Sequence, residues 1–257
     1  MTISAVDCHY SIIGSGPPLF LTHGIGAAQD AWRFMVPELS KHFSVVTYDL
    51  RGHGKSPVTH KNFTLDELVL DLERIREKTK FEKAHFAGHS LGGMIAPAYA
   101  LKFPEHTISV GLLSTVAGRS EGDSKKVWNV IYEMEKNGIE KTLQTLTNRW
   151  FTDEFIKNNS DLVERRLKQV VDTDPEVFLN VFKIYAKTEM SPWLKNISKP
   201  CLLLTGENDS GCSPKHNEIM AQEMIKSKLV ILPNYKHSLL IEAPHAVAES
   251  LINFINE

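Results

Sequence analysis

The chain has 257 residues, 42% of them hydrophobic, which suits one large α/β domain or a domain with an insertion. Its 29 basic and 31 acidic residues leave a net charge of −2, so no basic field is present to hold nucleic acid. Its three cysteines, Cys8, Cys201 and Cys212, form no Cys-x-x-Cys pair, so we expect neither a disulfide framework nor a zinc site. We find neither a signal-like start nor an apolar run long enough to span a membrane, and expect a cytoplasmic protein without membrane contact.

Alternating strand and helix patterns predict a mostly parallel sheet covered by helices. Strands are expected at 6–13 (an edge strand), 18–22, 43–48, 81–87 and 107–113. A short helix at 32–39 is expected to be broken by Pro37. The capping box Thr64-Leu-Asp-Glu67 predicts a helix with one apolar face, and a further helix, with Pro97 inside it, is expected to run to about residue 103.

Strand patterns are absent between residues 118 and 191. Four helices are expected there: one closed by Gly138, one over 139–150, one over 162–171, and one from Asp174-Pro175 to 185. The alternation then resumes, with strands at 200–205 and 229–232 and helices from Ser213-Pro214 and from Pro244. We therefore expect a core made of residues 1–118 and 192–257, covered by a helical lid made of residues 119–191.

The motif Gly88-His89-Ser90-Leu91-Gly92-Gly93 lies between a predicted strand and a predicted helix. A strand that turns directly into a helix strains the residue at the turn, and its neighbours two positions away come too close for side chains. The turn exposes the Ser90 hydroxyl and aims the Leu91 amide at the group that the hydroxyl attacks. Ser90 is thus the predicted nucleophile, although the motif by itself also occurs by chance in loops.

His23-Gly24-Ile25-Gly26 follows the predicted strand at 18–22 and is a second candidate for chemistry. The glycines let the backbone approach a substrate, and a free amide at Ile25 would complete an oxyanion hole with that of Leu91. The alternative is an ordinary glycine-rich turn. In the next loop we interpret Asp49 and Arg51 as charges that fix the loop, because the spacing does not fit a phosphate-binding P-loop.

Three residues that each follow a predicted strand, Ser90, Asp209 and His237, form a candidate catalytic triad. A serine hydroxyl is a poor nucleophile at neutral pH, and an imidazole is suited to take its proton. Asp209 would hold the imidazole of His237 in one tautomer. Each partner also has a structural alternative, since the chain has 11 histidines and Asp209 is suited to capping a turn.

With these motifs, the chain resembles the α/β-hydrolase superfamily over essentially its whole length, and the resemblance implies that fold with an inserted lid. Ser90 occupies a position where the dehalogenase and epoxide-hydrolase branches carry Asp. The lid stretches Arg149-Trp150-Phe151-Thr152 and Asp172-Thr173-Asp174-Pro175 resemble those of 3-oxoadipate enol-lactonases. Those lactonases usually carry Asn-Ser-Leu-Gly in place of His23-Gly24-Ile25-Gly26, and Gly-His-Ser-Leu-Gly is commoner in esterases.

The resemblance implies a serine hydrolase of a small carboxylic ester or lactone, acting through an acyl-enzyme on Ser90 without cofactor or metal. Hydrolysis of carbon–carbon bonds in ring-cleavage products is one alternative, but Ala27-Ala28 departs from the longer glycine stretch of that branch. A triad-retaining signal receptor is another, although such receptors usually lose the pair Gly92-Gly93. The candidate substrate contacts are His23, Gly24, His89, Arg149 and Trp150. Whether the protein is a monomer or a homodimer stays open.

Overall fold

A computed structural model of the protein describes residues 4–257, and its centre is one seven-stranded sheet. The strands are β1 (Tyr10–Ile13), β2 (Pro18–Thr22), β3 (Ser44–Tyr48), β4 (Ala84–His89), β5 (Thr107–Leu113), β6 (Cys201–Gly206) and β7 (Ser227–Leu232). Their order is β1-β3-β2-β4-β5-β6-β7, and only the edge strand β1 runs antiparallel to its neighbour. The predicted α/β architecture with a mostly parallel sheet is confirmed.

Helices cover both faces of this sheet. They are α1 (Val36–Leu39), α2 (Leu65–Thr79), α3 (Gly92–Lys102), α4 (Glu121–Asn137), α5 (Ile139–Trp150), α6 (Asp153–Asn158), α7 (Ser160–Asp172), α8 (Pro175–Lys187), α9 (Ser191–Leu194), α10 (Pro214–Glu223), α11 (Leu239–Glu242) and α12 (Pro244–Asn256). Short 3-10 turns lie at Gln29–Trp32 and Pro104–His106. Within residues 4–257, no helix has the length and apolar character needed to cross a membrane.

Side chains alternate between two apolar layers, one on each face of the sheet. Phe20 and Phe86 pack in the layer that also contains buried residues of α2 and α3. Leu19, Leu21 and Ala87 point the other way, into a layer shared with α12. Strands buried on both faces are what a parallel sheet between two helical layers requires. The packing places the carboxyl ends of the central strands along one edge, where loops are free to form a site.

The structure corrects two element predictions near the N-terminus. The edge strand β1 begins at Tyr10, so residues 6–9 lie outside it. Pro37 does not break a helix, because it lies in the first turn of α1, where its missing N–H group is not needed. The segment expected as one helix at 32–39 instead divides between the turn Gln29–Trp32 and α1.

The helices α4–α9 lie between β5 and β6, and four of them, α4, α5, α7 and α8, share an apolar cluster of their own. That cluster contains Met134, Leu143, Leu146, Val170 and Phe178. Gly138, at φ +88°, separates α4 from α5, and the Asp174 carboxylate accepts hydrogen bonds from the first amides of α8, as the sequence predicted. The short helix α6 was not expected from the sequence.

Candidate active site

Ser90 lies at the turn between β4 and α3, in the centre of the sheet. Its φ of +57° is unusual for a residue with a side chain, and its amide donates a 2.9 Å hydrogen bond to the carbonyl of Leu113 on β5. A backbone held in this region costs free energy that the surrounding fold must supply. The strain that the spacing predicted is therefore present at Ser90.

Two glycines make this turn possible. A Cβ atom on Gly88 would lie 2.0 Å from the carbonyl oxygen of Gly92, and one on Gly92 would lie 2.1 Å from the carbonyl oxygen of Thr22. Both separations are far below van der Waals contact, and the opposing atoms belong to the backbone. The Gly-x-Ser-x-Gly spacing is therefore a steric requirement of this turn.

Asp209 and His237 meet across the ends of β6 and β7. The Nδ1 atom of His237 lies 2.7 Å from Oδ2 of Asp209, while Oδ1 of Asp209 accepts hydrogen bonds from the amides of Gly211 and Cys212 at 2.9 and 2.8 Å. A carboxylate only accepts hydrogen bonds, so Nδ1 carries the proton and Nε2 is left as the basic nitrogen. This is the tautomer that a general base for Ser90 needs.

The electrostatics of the pair follow from burial and contact. Burial lowers the pKa of His237, but the charge and hydrogen bond of Asp209 outweigh it, and the pKa lies above its usual value. For Asp209, burial raises the pKa, yet His237 and the two backbone amides outweigh that effect and lower it. The carboxylate thus stays ionised and stabilises the imidazolium that forms when His237 takes a proton.

Ser90 and His237 open onto one cavity of about 200 Å³ beneath the helices α4–α8. Its wall includes Gly24 and Ile25, and a Cβ atom on Gly24 would lie only 3.1 Å from Cβ of Ser90. Among residues 4–257, the amides of Ile25 and Leu91 have no acceptor within the protein. Two free donors beside a serine hydroxyl have the composition of an oxyanion hole.

His23 does not line this cavity, which corrects the expectation of a substrate contact there. Its Nε2 atom accepts a 2.9 Å hydrogen bond from the Leu50 amide, and its Nδ1 atom lies 2.8 Å from the Gly24 carbonyl oxygen. Burial lowers the pKa of His23 to about 4, so the ring is neutral. Because the Gly24 carbonyl shares a peptide group with the Ile25 amide, His23 orients that amide from behind.

His89 lines the cavity and also supports the candidate base. Its Nε2 atom lies 2.9 Å from the backbone carbonyl oxygen of His237, and the two rings lie 4.9 Å apart. Burial lowers the pKa of His89 to about 3, so the neutral ring donates this bond from Nε2. The contact fixes the backbone of the loop that carries His237.

Helix α5 contributes Arg149 and Trp150 to the cavity wall, as the sequence suggested, and α7 contributes Arg166, which the sequence analysis missed. Arg149 is exposed, whereas Trp150 is half-buried and lies under the guanidinium of Arg166, 5.2 Å from its ring centre. Arg166 also donates hydrogen bonds to the carbonyls of Ile25 and Gly26. No local motif marks Arg166, because its partners are distant in the chain.

One group of side chains has the composition of a metal site. Within residues 4–257, potential ligand atoms of Asp209, Cys212 and His237 all lie within 4.8 Å of one another. The facing atoms of Asp209 and His237 are already hydrogen-bonded to each other, and burial raises the pKa of the Cys212 thiol. Since a metal needs the thiolate and a free nitrogen, this arrangement suits proton transfer better than metal binding.

Two family models together match most of the chain. One, described as "alpha/beta hydrolase fold", matches residues 17–174. The other, described as "TAP-like protein", matches residues 183–257. The first match covers the segment with Ile25, Ser90 and Leu91, and the second covers the segment with Asp209 and His237.

Individual relatives are similar over nearly the full length. 3-Oxoadipate enol-lactonase 1 of Acinetobacter baylyi is 28% identical, over 94% of this chain and 89% of its own. The crystal structure of the enol-lactonase from Burkholderia xenovorans has a TM-score of 0.90 at 25% identity, over 97% and 96% of the two chains. A thermophilic esterase from Thermogutta terrifontis shares the fold, with a TM-score of 0.88 at 23% identity over 98% and 93%. Since the first family model spans more than half of the sequence, the chain belongs to the α/β-hydrolase fold family.

Proposed function

We propose that the protein is a serine hydrolase that cleaves a small carboxylic ester or lactone through an acyl-enzyme on Ser90. The observation that carries the proposal is the strained Ser90 turn, which opens onto the same cavity as the His237–Asp209 pair. The enol-lactonase and esterase relatives support hydrolysis of an ester or lactone bond.

In the proposed first step, Nε2 of His237 takes the proton of the Ser90 hydroxyl as its oxygen attacks the substrate carbonyl carbon. The negative charge on the carbonyl oxygen is stabilised by the amides of Ile25 and Leu91. Collapse of this intermediate breaks the ester bond, and His237 gives the proton to the leaving alkoxide. Water then attacks the acyl-enzyme by the reverse sequence, which releases the acid and restores the serine. With a lactone, the alcohol and the acid stay on one molecule.

We further propose that residues 119–191 act as a lid over a core of residues 1–118 and 192–257. The cavity wall combines core residues such as Ser90 with lid residues such as Trp150. The catalytic groups are shared across the fold, so the covering helices are the natural source of substrate selectivity. A cytoplasmic location and a monomeric or homodimeric state stay predictions, to be tested by cell fractionation and light scattering.

Covalent labelling tests the role of Ser90. A fluorophosphonate should add once to the wild type, as seen by intact mass, and not to Ser90→Ala, whose hydrolysis rate should fall by about 10⁴-fold. Ser250→Ala, on α12 and outside the cavity, is the matched control and should label normally. Equal labelling of Ser90→Ala would refute the assignment.

A substrate screen separates the remaining alternatives. p-Nitrophenyl esters, lactones and a vinylogous diketone should be offered side by side to the wild type and to Ser90→Ala. Turnover of esters or lactones is expected. Turnover of the diketone alone would replace the proposal with carbon–carbon bond hydrolysis, and binding without turnover would favour a receptor.

A further inference from the structure

The cavity has more positive than negative side chains in its wall. Its acids are Asp123 and Asp209, and both are engaged: Asp209 with His237, and Asp123 with Lys126 at 3.1 Å. Its arginines and lysine are Arg33, Arg119, Lys126, Arg149 and Arg166. Lys126 and Arg33 have acidic partners, but within residues 4–257 the other three, Arg119, Arg149 and Arg166, form no salt bridge, so the wall carries positive charge that the protein does not neutralise at close range.

Arg166 contacts the loop that supplies one of the two proposed oxyanion amides. Its Nη2 atom donates a 2.8 Å hydrogen bond to the carbonyl of Ile25, and Nη1 donates a 2.6 Å bond to the carbonyl of Gly26. The same residue, Ile25, supplies one of the two proposed oxyanion amides. Arg166 and the proposed oxyanion hole therefore share one residue, Ile25, and both face the same cavity.

The charge of Arg166 has no carboxylate partner at salt-bridge distance within residues 4–257. Asp30, which lies on the same side, pairs instead with Arg165 at 2.8 Å and with Arg33 at 3.7 Å. Burial lowers the pKa of Arg166 to about 10, so the group stays protonated at neutral pH. The carbonyl oxygens and the Trp150 ring contact the Arg166 guanidinium, but they carry no net negative charge that could neutralise it. A partly desolvated cation of this kind favours an anionic ligand.

We infer that Arg166 is a specificity-determining residue that binds a carboxylate of the substrate. The preferred substrate is then an ester or lactone with a carboxylate a few carbons from the scissile carbonyl. This inference rests on the proposed function and names its substrate class. It favours Arg166 over the candidate substrate contact Arg149, whose exposed side chain loses less hydration and gains less from an ion pair.

A purely structural role for Arg166 would be to hold α7 against the loop after β2. That docking has other bonds, because Arg165 and Gln169 on the same helix both donate to the Asp30 carboxylate, at 2.8 and 2.6 Å. Arg165 does not line the cavity. Arg165→Gln is therefore a matched control, since it removes a charge and a docking bond from α7 and leaves Arg166 in place.

Equilibrium binding in the Ser90→Ala background measures recognition without turnover. Monomethyl glutarate has a free carboxylate where dimethyl glutarate has a second methyl ester. Each ligand is titrated by calorimetry. We expect the monoester acid to bind about ten- to a hundredfold more tightly. Arg166→Gln should abolish that preference, whereas Arg166→Lys should keep part of it and Arg165→Gln should keep it in full. Equal affinities for the two ligands, or a preference that survives in Arg166→Gln, would overturn the inference.

Kinetics on 4-nitrophenyl esters separate a failure of this inference from a failure of the proposed function. Mono-4-nitrophenyl glutarate and its methyl ester form the matched pair. Arg166→Gln should raise KM for the anionic substrate about ten- to a hundredfold, with a much smaller change for the neutral one. An equal loss on both substrates would show that Arg166 only supports the loop, and would overturn the inference while Ser90 labelling still supports the hydrolase. If the wild type were not labelled at Ser90 but the preference for the monoester acid persisted, the proposed mechanism would be refuted and the inference about Arg166 would stand.

Discussion

The His237 imidazole is subject to two opposing influences, since burial lowers its pKa and the neighbouring carboxylate of Asp209 raises it. The net shift is upward, so the ring holds its proton to a higher pH than a free histidine, whose pKa is about 6.5. Only the neutral ring can take the proton of Ser90. We therefore expect kcat/KM to rise with pH, with a midpoint above about 6.5.

Asp209→Asn tests the origin of that shift. Loss of the carboxylate charge should move the midpoint of the pH profile downward, and it should lower the rate by about 10⁴-fold because the imidazolium is no longer stabilised. The measurement is kcat/KM against pH on an uncharged ester. His245→Gln, an exposed histidine on α12, should leave the profile unchanged. A wild-type rate that stays level down to pH 4.5 would rule out His237 as the base.

At the scale of elements, the corner between α5 and α6 is bonded to the segment that carries the candidate base. The amide and hydroxyl of Thr152 donate to the two carboxylate oxygens of Glu242 at 2.9 and 3.0 Å. The amide of Ser238, next to His237, donates to the carbonyl of Trp150 at 2.8 Å. A movement of this corner of the proposed lid would therefore displace the segment that carries His237.

Glu242→Ala should loosen that connection. Hydrogen bonds to a charged group contribute about 2 kcal/mol, so the Thr152 amide should exchange with solvent roughly thirtyfold faster. Hydrogen–deuterium exchange of the segment 148–153 makes the measurement. Glu249→Ala, an exposed acid on α12, is the control and should exchange like the wild type. Unchanged exchange in Glu242→Ala would mean that the corner is held by other contacts.

At the scale of the whole molecule, a buried ion pair joins the loop after β3 to α2 and the N-terminal segment. Arg51 donates from Nε and Nη2 to both carboxylate oxygens of Asp71, at 2.6 and 2.7 Å, and from Nη1 to Glu67 at 3.0 Å. The amide of Val6 donates to the same Asp71 carboxylate at 2.7 Å. The structural role predicted for Arg51 is thus confirmed, and neither Arg51 nor its partners line the cavity.

Arg51→Met should destabilise the fold by about 3–5 kcal/mol, because it leaves the Asp71 carboxylate buried without a cationic partner. For a chain of this size, that corresponds to a fall in Tm of roughly 10 °C, measured by calorimetry. Arg51→Met combined with Asp71→Leu should recover part of the loss. Arg74→Gln, which removes an exposed pair with Asp7, should lower the Tm far less, because water screens that pair. Equal falls in Tm for Arg51→Met and Arg74→Gln would refute the argument that burial makes the loss of the Arg51 ion pair costly.

The sequence by itself determined the features that depend on neighbours in the chain. The bounds of β2 and β5 match their predicted ranges, and the capping box at Thr64 is present. The strained turn at Ser90 was also predictable from its glycine spacing, since a Cβ atom on Gly88 would clash with the backbone of Gly92 within the same turn. Asp209 and His237 were found because residues that follow parallel strands share one edge of the sheet, and the structure brings them together.

Only the tertiary structure decided which side chains surround those groups. Arg166 meets the Ile25 carbonyl across 141 residues, and His89 meets the His237 carbonyl across 148. His23 was expected in the cavity but lies behind its wall, because hydrogen bonds to the Gly24 carbonyl and the Leu50 amide turn its ring away. Such contacts arise when distant segments pack, and no periodicity or local motif encodes them. The catalytic candidates could therefore be identified from the sequence, whereas the side chains that surround them are set by how the helices α4–α8 pack on the sheet.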